Sequence, residues 1–219
     1  MTRLFAVPAP IHVPPSAPAR LVVLASGTGS LLRALLESAV GDYPARVVAV
    51  GLDRECPAAV IAADVGVPTF VVRTADFPDR PSWDAAITNA VETHAPDLIV
   101  SAGFMKILGH QFLSRFPGRV VNTHPALLPA FPGSHAVPDA LDYGVKVTGC
   151  TIHLVDHGVD TGPILAQQAV EVRDGDDEAT LHERIKVVER RLLVNSLAAL
   201  ATRGVTWTGR KATLGMVEA

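Results

Sequence analysis

The chain predicts an α/β fold in three layers, with helices covering both faces of a mostly parallel sheet and an antiparallel strand pair in the C-terminal half. Three observations lead there. Short runs apolar on both faces alternate with stretches of helical spacing, as in a parallel sheet buried on both sides. The first such run opens through a glycine-rich turn into an amphipathic stretch, the start of a β-α-β unit. After Pro138 the pattern becomes two strand-like runs flanking a turn at Asp160-Thr161-Gly162-Pro163.

In order, the sheet is built from residues 21–25, 46–52, 69–72, 97–101 and 119–122. Each run is short, apolar and β-branched-rich, and each is bounded by polar or turn residues. Helices are expected over residues 31–37, 58–65, 83–94 and 106–116, where apolar positions recur every three or four residues. Residues 145–155 and 164–172 make the antiparallel pair. The longest helix spans 178–202, with Leu181, Ile185, Val188 and Leu192 on one stripe. The fold is thus Rossmann-like in its first half. A Pro-rich tail is expected over 1–20, one main domain over 21–205 (halves 21–121 and 122–205), and a peripheral segment over 206–219. Pro8, Pro10, Pro14, Pro15 and Pro18 argue against helix or sheet ladder in the tail, since each lacks an N–H.

A chain of 219 residues with 48% hydrophobic residues can bury a sizeable core. Its net charge of −3 argues against a nucleic-acid binder. The two cysteines, Cys56 and Cys150, lie far apart and lack clustered histidines, so neither a disulfide framework nor a structural zinc site is expected. The apolar run near the N-terminus is only Leu4-Phe5-Ala6-Val7, too short for a secretory signal. These features predict a soluble cytoplasmic protein.

Ser26-Gly27-Thr28-Gly29-Ser30 joins the first strand to the first helix. Backbone N–H groups and the helix dipole favour an anion there, and glycine lets a phosphate approach the backbone. No Gly-Lys-Ser/Thr follows, so it is not a P-loop. It begins like the dinucleotide fingerprint, but Leu32 stands where the third glycine would be. Asp53, after the second strand, can mimic the acidic ribose-binding residue, which keeps a nicotinamide cofactor as an alternative, beside a plain tight turn.

Asn122 and His124 are two apart at the end of the fifth strand and so share a face. Ligands of open parallel sheets bind beyond the carboxyl ends of the strands. An amide N–H can stabilise an oxyanion, and an imidazole can donate a proton near neutral pH. Asp160 beside that imidazole would orient it and favour its charged form. Each also has a bland reading: a cap, a structural histidine, a turn former. Together they suggest acyl transfer without a nucleophilic Ser or Cys.

The run from Asn122 to His135, NTHPALLPAFPGSH, resembles the core signature of the glycinamide ribonucleotide (phosphoribosylglycinamide) formyltransferases, in the folate-dependent formyltransferase superfamily. Residues 149–162, GCTIHLVDHGVDTG, are similar to their second signature, and residues 101–108 and the glycine loop match two further blocks. The resemblance implies formyl transfer from 10-formyltetrahydrofolate to the amine of glycinamide ribonucleotide, in purine biosynthesis. It implies that Asn122 and His124 bind and protonate the formyl oxygen while Asp160 supports His124. Gly29, Ser30 and Leu31 would cradle the acceptor phosphate; the family often has Asn at the last of these. Lys186 and Glu189 would contact the ribonucleotide, although glutamine is usual at the first.

For the donor, the resemblance implies a folate pocket of Met105, Lys106, Ile107 and Leu108 on one side. Asp156, His157, Gly158, Val159 and Asp160 would close the other, next to Asn122. Arg80 would meet the glutamate tail, and His135 would position Asp160 or substrate. It implies a co-substrate but no metal and no NAD. The expected partners are small molecules, with no nucleic acid and no membrane; a homodimer is compatible. Rival activities are formyltetrahydrofolate deformylation and formylation of a nucleotide-sugar amine. Deformylases usually carry a second His after the catalytic one and an extra N-terminal domain, whereas Pro125 follows His124 here. Methionyl-tRNA formyltransferases differ after Leu-Leu-Pro and have an added C-terminal domain, which this length does not suggest.

Overall fold

A computed structural model describes residues 10–215. The expectations for residues 1–9 and 216–219 fall outside the described residues. The parallel core consists of β2 (Ala19–Ala25), β3 (Ala45–Leu52), β4 (Thr69–Val71), β5 (Leu98–Ser101) and β6 (Val120–His124). They lie in the order β4-β3-β2-β5-β6, all parallel. β7 (Val147–Leu154) runs antiparallel to β6, and β8 (Ile164–Glu171) antiparallel to β7. The predicted class and its antiparallel pair are therefore what the chain adopts.

Burial explains the strand composition. Leu21, Val22, Val23, Leu24 and Ala25 are all fully buried, so neither face of β2 can carry a polar residue. On one face, α1 (Ser30–Ser38), α2 (Pro57–Asp64) and α6 (Glu178–Arg203) share a core with β2, through Leu32, Ala62 and Leu197 among others. On the other face, α3 (Arg80–Glu92) and α4 (His110–Arg115) pack Trp83, Ile87 and Phe112 against Val22, Leu24 and Ile99.

α6 starts where it does because Asp177 accepts from the Thr180 N–H at 2.8 Å while the Thr180 hydroxyl receives the Asp177 N–H at 2.9 Å, a reciprocal capping box. Arg184 then grips Asp176 with two hydrogen bonds of 2.6 and 2.8 Å, tying the second turn to the preceding loop.

Four details differ from the sequence reading. Tail residues Ile11–Val13 form β1, antiparallel to β9 (Val205–Thr208), despite the flanking prolines. Three residues between Pro10 and Pro14 retain their N–H groups, and the strand lies at the sheet edge, where proline neighbours are tolerated. The C-terminal segment is not peripheral. β9 pairs with β10 (Lys211–Leu214), which reaches β8, so among the described residues ten strands form one sheet. A hairpin this short carries too few residues to show a period.

The expected helix over 106–116 begins only at His110. Buried Asp84 accepts from the N–H groups of Gly109, Gln111 and Phe112 at 2.7–3.3 Å and fixes the start there. Residues 105–108 are consequently loop. Finally, α5 (Ala136–Tyr143) was concealed by Pro138, which sits in the first turn, where no N–H is required.

Candidate active site

β2, β5 and β6 end side by side, and β2 has β3 on one flank and β5 on the other. The strand order therefore switches direction between β2 and β5, the place where open α/β sheets hold ligands. A cavity of about 460 Å³ opens there. Gly27–Leu31 line it from the end of β2, Ala102–Met105 from β5, and Asn122, Thr123, His124 and Pro125 from β6; Gly133, Ser134, Asp160, His182, Lys186 and Glu189 complete it.

Asn122, His124 and Asp160 do meet. The His124 Nδ1 lies 3.3 Å from the Asp160 Oδ2, both side chains largely buried. The His124 Nε2 lies 2.7 Å from the carbonyl oxygen of Phe131. A carbonyl only accepts, so Nε2 carries hydrogen. Burial pushes the pKa of His124 below its ordinary value, with His153 adding to that; Asp160 and the Phe131 carbonyl oppose it without cancelling it. For Asp160, burial acts upward. Contact with His153, the Gly133 N–H at 2.8 Å and the charge of His124 outweigh it, so the carboxyl is held below its ordinary value. Both Phe131 (φ 51°) and Asp160 (φ 53°) adopt left-handed backbone, an uncommon conformation for residues with a Cβ.

Sequence reasoning missed His153. It faces Asn122 across the β6-β7 ladder. Its Nδ1 donates to the Leu154 carbonyl at 3.0 Å, and its Nε2 lies 3.2 Å from the Asn122 amide nitrogen. The Asp160 Oδ1 is 3.6 Å from the same nitrogen. His153 is thus the buried hub between the amide and the carboxylate. Its signal was present, because it stands inside the quoted 149–162 block at a buried strand position.

The expected supporting residue His135 lies elsewhere. It is exposed, at the start of α5, with its Nδ1 3.0 Å from the Ser134 hydroxyl. The histidines beside Asp160 are His124 and His153.

At the glycine loop, Gly29 has φ +73°, and a Cβ there would come within 2.9–3.1 Å of Ile61 and Ala58; only glycine fits this turn against α2. Ser30 begins α1 and lines the cavity, as does Leu31. From α6, Glu189 falls on the stripe of Leu181, Ile185 and Leu193, yet it is a buried carboxylate facing the cavity. Burial pushes its pKa up; a hydrogen bond with Thr123 and the charges of Lys186 and Arg190 only moderate this. Lys186 and His182, one turn apart on the same helix, also line the cavity, and His182 was not singled out from sequence.

Of the expected folate residues, Met105 lines the cavity and is 70% exposed, and Ile107 is 69% exposed, while Leu108 is buried. Large apolar side chains held open beside a cavity suit a flat organic ligand. Lys106 does not line the cavity but lies 3.7 Å from buried Asp53, which Arg54 also engages at 2.9 Å. Asp53 itself lies off the cavity. Arg80 hydrogen-bonds the Ile107 carbonyl and stacks on Trp83, supporting the loop from below.

In loop 156–160, Asp156 accepts from the Gly158 N–H and the Thr161 hydroxyl, while His157 and Val159 are exposed. His157 stacks on His110 with ring centroids 5.2 Å apart, which ties this loop to the end of loop 105–109. Among the described residues no group of three or more His, Cys, Asp or Glu is placed to hold a metal. No helix there is long and apolar enough to cross a membrane.

Asn122, the buried His124–Asp160 pair and the glycine loop thus border one cavity at the switch point of an α/β sheet. The family model described as formyl transferase matches residues 19–197, and the chain belongs to that family. It is 75% identical over 206 residues to a phosphoribosylglycinamide formyltransferase of Mycobacterium tuberculosis, covering 94% of this chain and 96% of the relative. Among solved structures, glycinamide ribonucleotide transformylase 1 from Symbiobacterium toebii superposes with a TM-score of 0.87 at 38% identity, covering 90% of this chain and 94% of that one. Phosphoribosylglycinamide formyltransferase from Brucella melitensis does so with a TM-score of 0.80 at 42% identity, over 84% and 95%.

Proposed function

We propose that the chain transfers the formyl group of 10-formyltetrahydrofolate to the amine of glycinamide ribonucleotide, a step of purine biosynthesis in the cytoplasm. The convergence of Asn122, His124 and Asp160 with the glycine loop on a single cavity carries this reading. The names of its close relatives support it.

The acceptor amine attacks the formyl carbon, forming a C–N bond and placing negative charge on the formyl oxygen. One N–H of the Asn122 amide is given to His153, which leaves the other for that oxygen. His124 carries its proton at Nε2, where the forming alkoxide competes with the Phe131 carbonyl for it. As the bond from the formyl carbon to N10 of the folate breaks, the proton lost by the amine passes through water and Asp160 to N10, and tetrahydrofolate leaves. Ionised Asp160, facing the His124 Nδ1, favours the protonated imidazole that donates to the formyl oxygen.

The apolar edge of Met105 and Ile107 with loop 156–160 supplies the donor slot, with His157, Gly158 and Val159 on its rim, while buried Leu108 and the Lys106–Asp53 pair hold loop 105–108 in place. Arg80 holds one wall by its contact with the Ile107 carbonyl. Gly29, Ser30 and Leu31 offer N–H groups to the phosphate, and Glu189 accepts from ribose hydroxyls.

The test is acceptor dependence. Purified protein should form tetrahydrofolate from 10-formyltetrahydrofolate only when glycinamide ribonucleotide is added. Turnover without an acceptor would assign hydrolysis instead, and turnover with a nucleotide-sugar amine alone would assign the sugar-amine activity.

A further inference from the structure

Asp53 is a buried carboxylate that the transfer itself does not use. Its side chain is 1% exposed and lies off the cavity, immediately after β3. In the sheet β2 lies between β3 and β5, so a group following β3 reaches the loop after β5 only by crossing the end of β2. Asp53 makes that crossing. Lys106, from the loop after β5, lies 3.7 Å from its Oδ2. At the end of β2 stands buried Ser26, the first residue of the glycine turn. The Ser26 Oγ accepts from the Met105 N–H at 2.8 Å, and its own hydroxyl bonds to Asp53. Arg54 donates to the same carboxylate at 2.9–3.3 Å. Burial pushes the Asp53 pKa up, but these hydrogen bonds and the charges of Arg54 and Lys106 outweigh it and hold the carboxyl below its ordinary value. Burying an ion pair is a poor route to stability, since an apolar replacement often does as well. The partners of this one belong to two segments that line the cavity, Gly27–Leu31 and Ala102–Met105, or adjoin them.

We infer that Asp53 is a positioning residue shared by both substrates: its carboxylate ties the donor-side loop, through Lys106, to the glycine loop, through Ser26, and so fixes the two sides of the cavity relative to each other. Which ligand each loop receives rests on the reading above; the tie itself does not. Two accounts compete with it. Asp53 could serve only the local packing at the end of β3, or it could contact a ribose directly.

Amide hydrogen exchange tests the tie without any ligand. In Asp53→Asn the Met105 N–H should exchange at least about tenfold faster, while the Gly109 N–H, held by Asp84 at 2.7 Å, keeps its rate. Lys106→Met should quicken the same proton by a smaller factor, and it carries the test should Asp53→Asn not fold. An unchanged Met105 rate, or equal acceleration at Met105 and Gly109, overturns the tie.

Calorimetric titration then reads whether the tie reaches the substrates. Tetrahydrofolate and ribose 5-phosphate are each titrated into wild type, Asp53→Asn, Lys106→Met and the double variant. Asp53→Asn should weaken both ligands at least about threefold, although its side chain lines no part of the cavity. Lys106→Met should weaken tetrahydrofolate in the wild-type background and add nothing in the Asp53→Asn background. Weakening confined to one ligand overturns the shared role, and weakening of ribose 5-phosphate alone assigns a ribose contact. A Lys106→Met effect that persists without Asp53 overturns it too, as does unchanged binding of both ligands. Wild type that binds neither ligand refutes the substrate reading instead, and the exchange rate at Met105 then decides the tie by itself.

Discussion

The His124 Nε2 rests 2.7 Å from the Phe131 carbonyl oxygen while its Nδ1 faces the Asp160 carboxylate. Both neighbours are acceptors. A neutral imidazole satisfies one of them, and only the cation satisfies both. Burial opposes that cation, so the site holds its proton under two opposed influences, which suits a group that must give it up and regain it.

Asp160→Asn replaces an acceptor with a group that cannot stabilise the cation. Turnover should fall at least about tenfold with acceptor KM little changed, since the loss is confined to the transition state. Steady-state kinetics with both substrates varied will show this; an unaltered kcat would remove Asp160 from the proton path.

His153→Ala frees the Asn122 amide to rotate and takes one neighbour from Asp160. We expect kcat to drop by about tenfold to a hundredfold, with affinity for both substrates largely kept. A His153→Gln variant should recover part of the rate, because its side chain can still accept from the amide. If alanine and glutamine are equally impaired, the orientation role fails.

Glu189→Gln should separate stability from function. Burial raises the Glu189 pKa in the folded chain, so its contribution is present below the unfolded pKa and is lost as pH rises through the folded one. At neutral pH the ionised carboxylate therefore costs stability. The glutamine variant should melt higher at pH 7, with the gap narrowing toward acid pH, while acceptor KM rises. Thermal scans across that pH range check the sign.

Asp176 has the opposite sign. The Arg184 side-chain bonds and then the Arg173 N–H hold its carboxyl far below the ordinary value. Its stabilisation is present above the unfolded pKa and is lost as pH falls below the ordinary carboxylate range. Asp176→Asn should lower the melting temperature at neutral pH and flatten its acid dependence. A variant that matches wild type at pH 7 would show the pair to be inert.

Gly29→Ala introduces a Cβ within about 3 Å of Ile61 and Ala58 at a positive φ. We expect a loss of stability of about 1–3 kcal/mol and weaker binding of the acceptor, with donor affinity kept. Chemical denaturation and substrate titrations report the two effects separately.

Much of this was legible in the chain itself. Apolar runs buried on both faces marked β2, β3, β5 and β6, and helical spacing marked α6, because those periods follow from covalent geometry alone. Asn122 and His124 shared a face by strand periodicity, and the quoted sequence blocks placed Asp160 with them. The three-residue β1 and the β9–β10 hairpin were illegible, since their stability comes from pairing with distant strands.

Within the site, the sequence determined the residue types and the strand end that carries them. Tertiary structure decided which groups meet. His153 reaches Asn122 because β7 runs antiparallel to β6 in one register, and His135 stays outside because it begins α5 at the surface. Gly133, from the loop after β6, presents its N–H to Asp160 twenty-seven residues on. His182 and Lys186 join the glycine loop only because α6 packs beside α1. Contacts between segments far apart in the chain depend on register and packing, and neither is written in local periodicity.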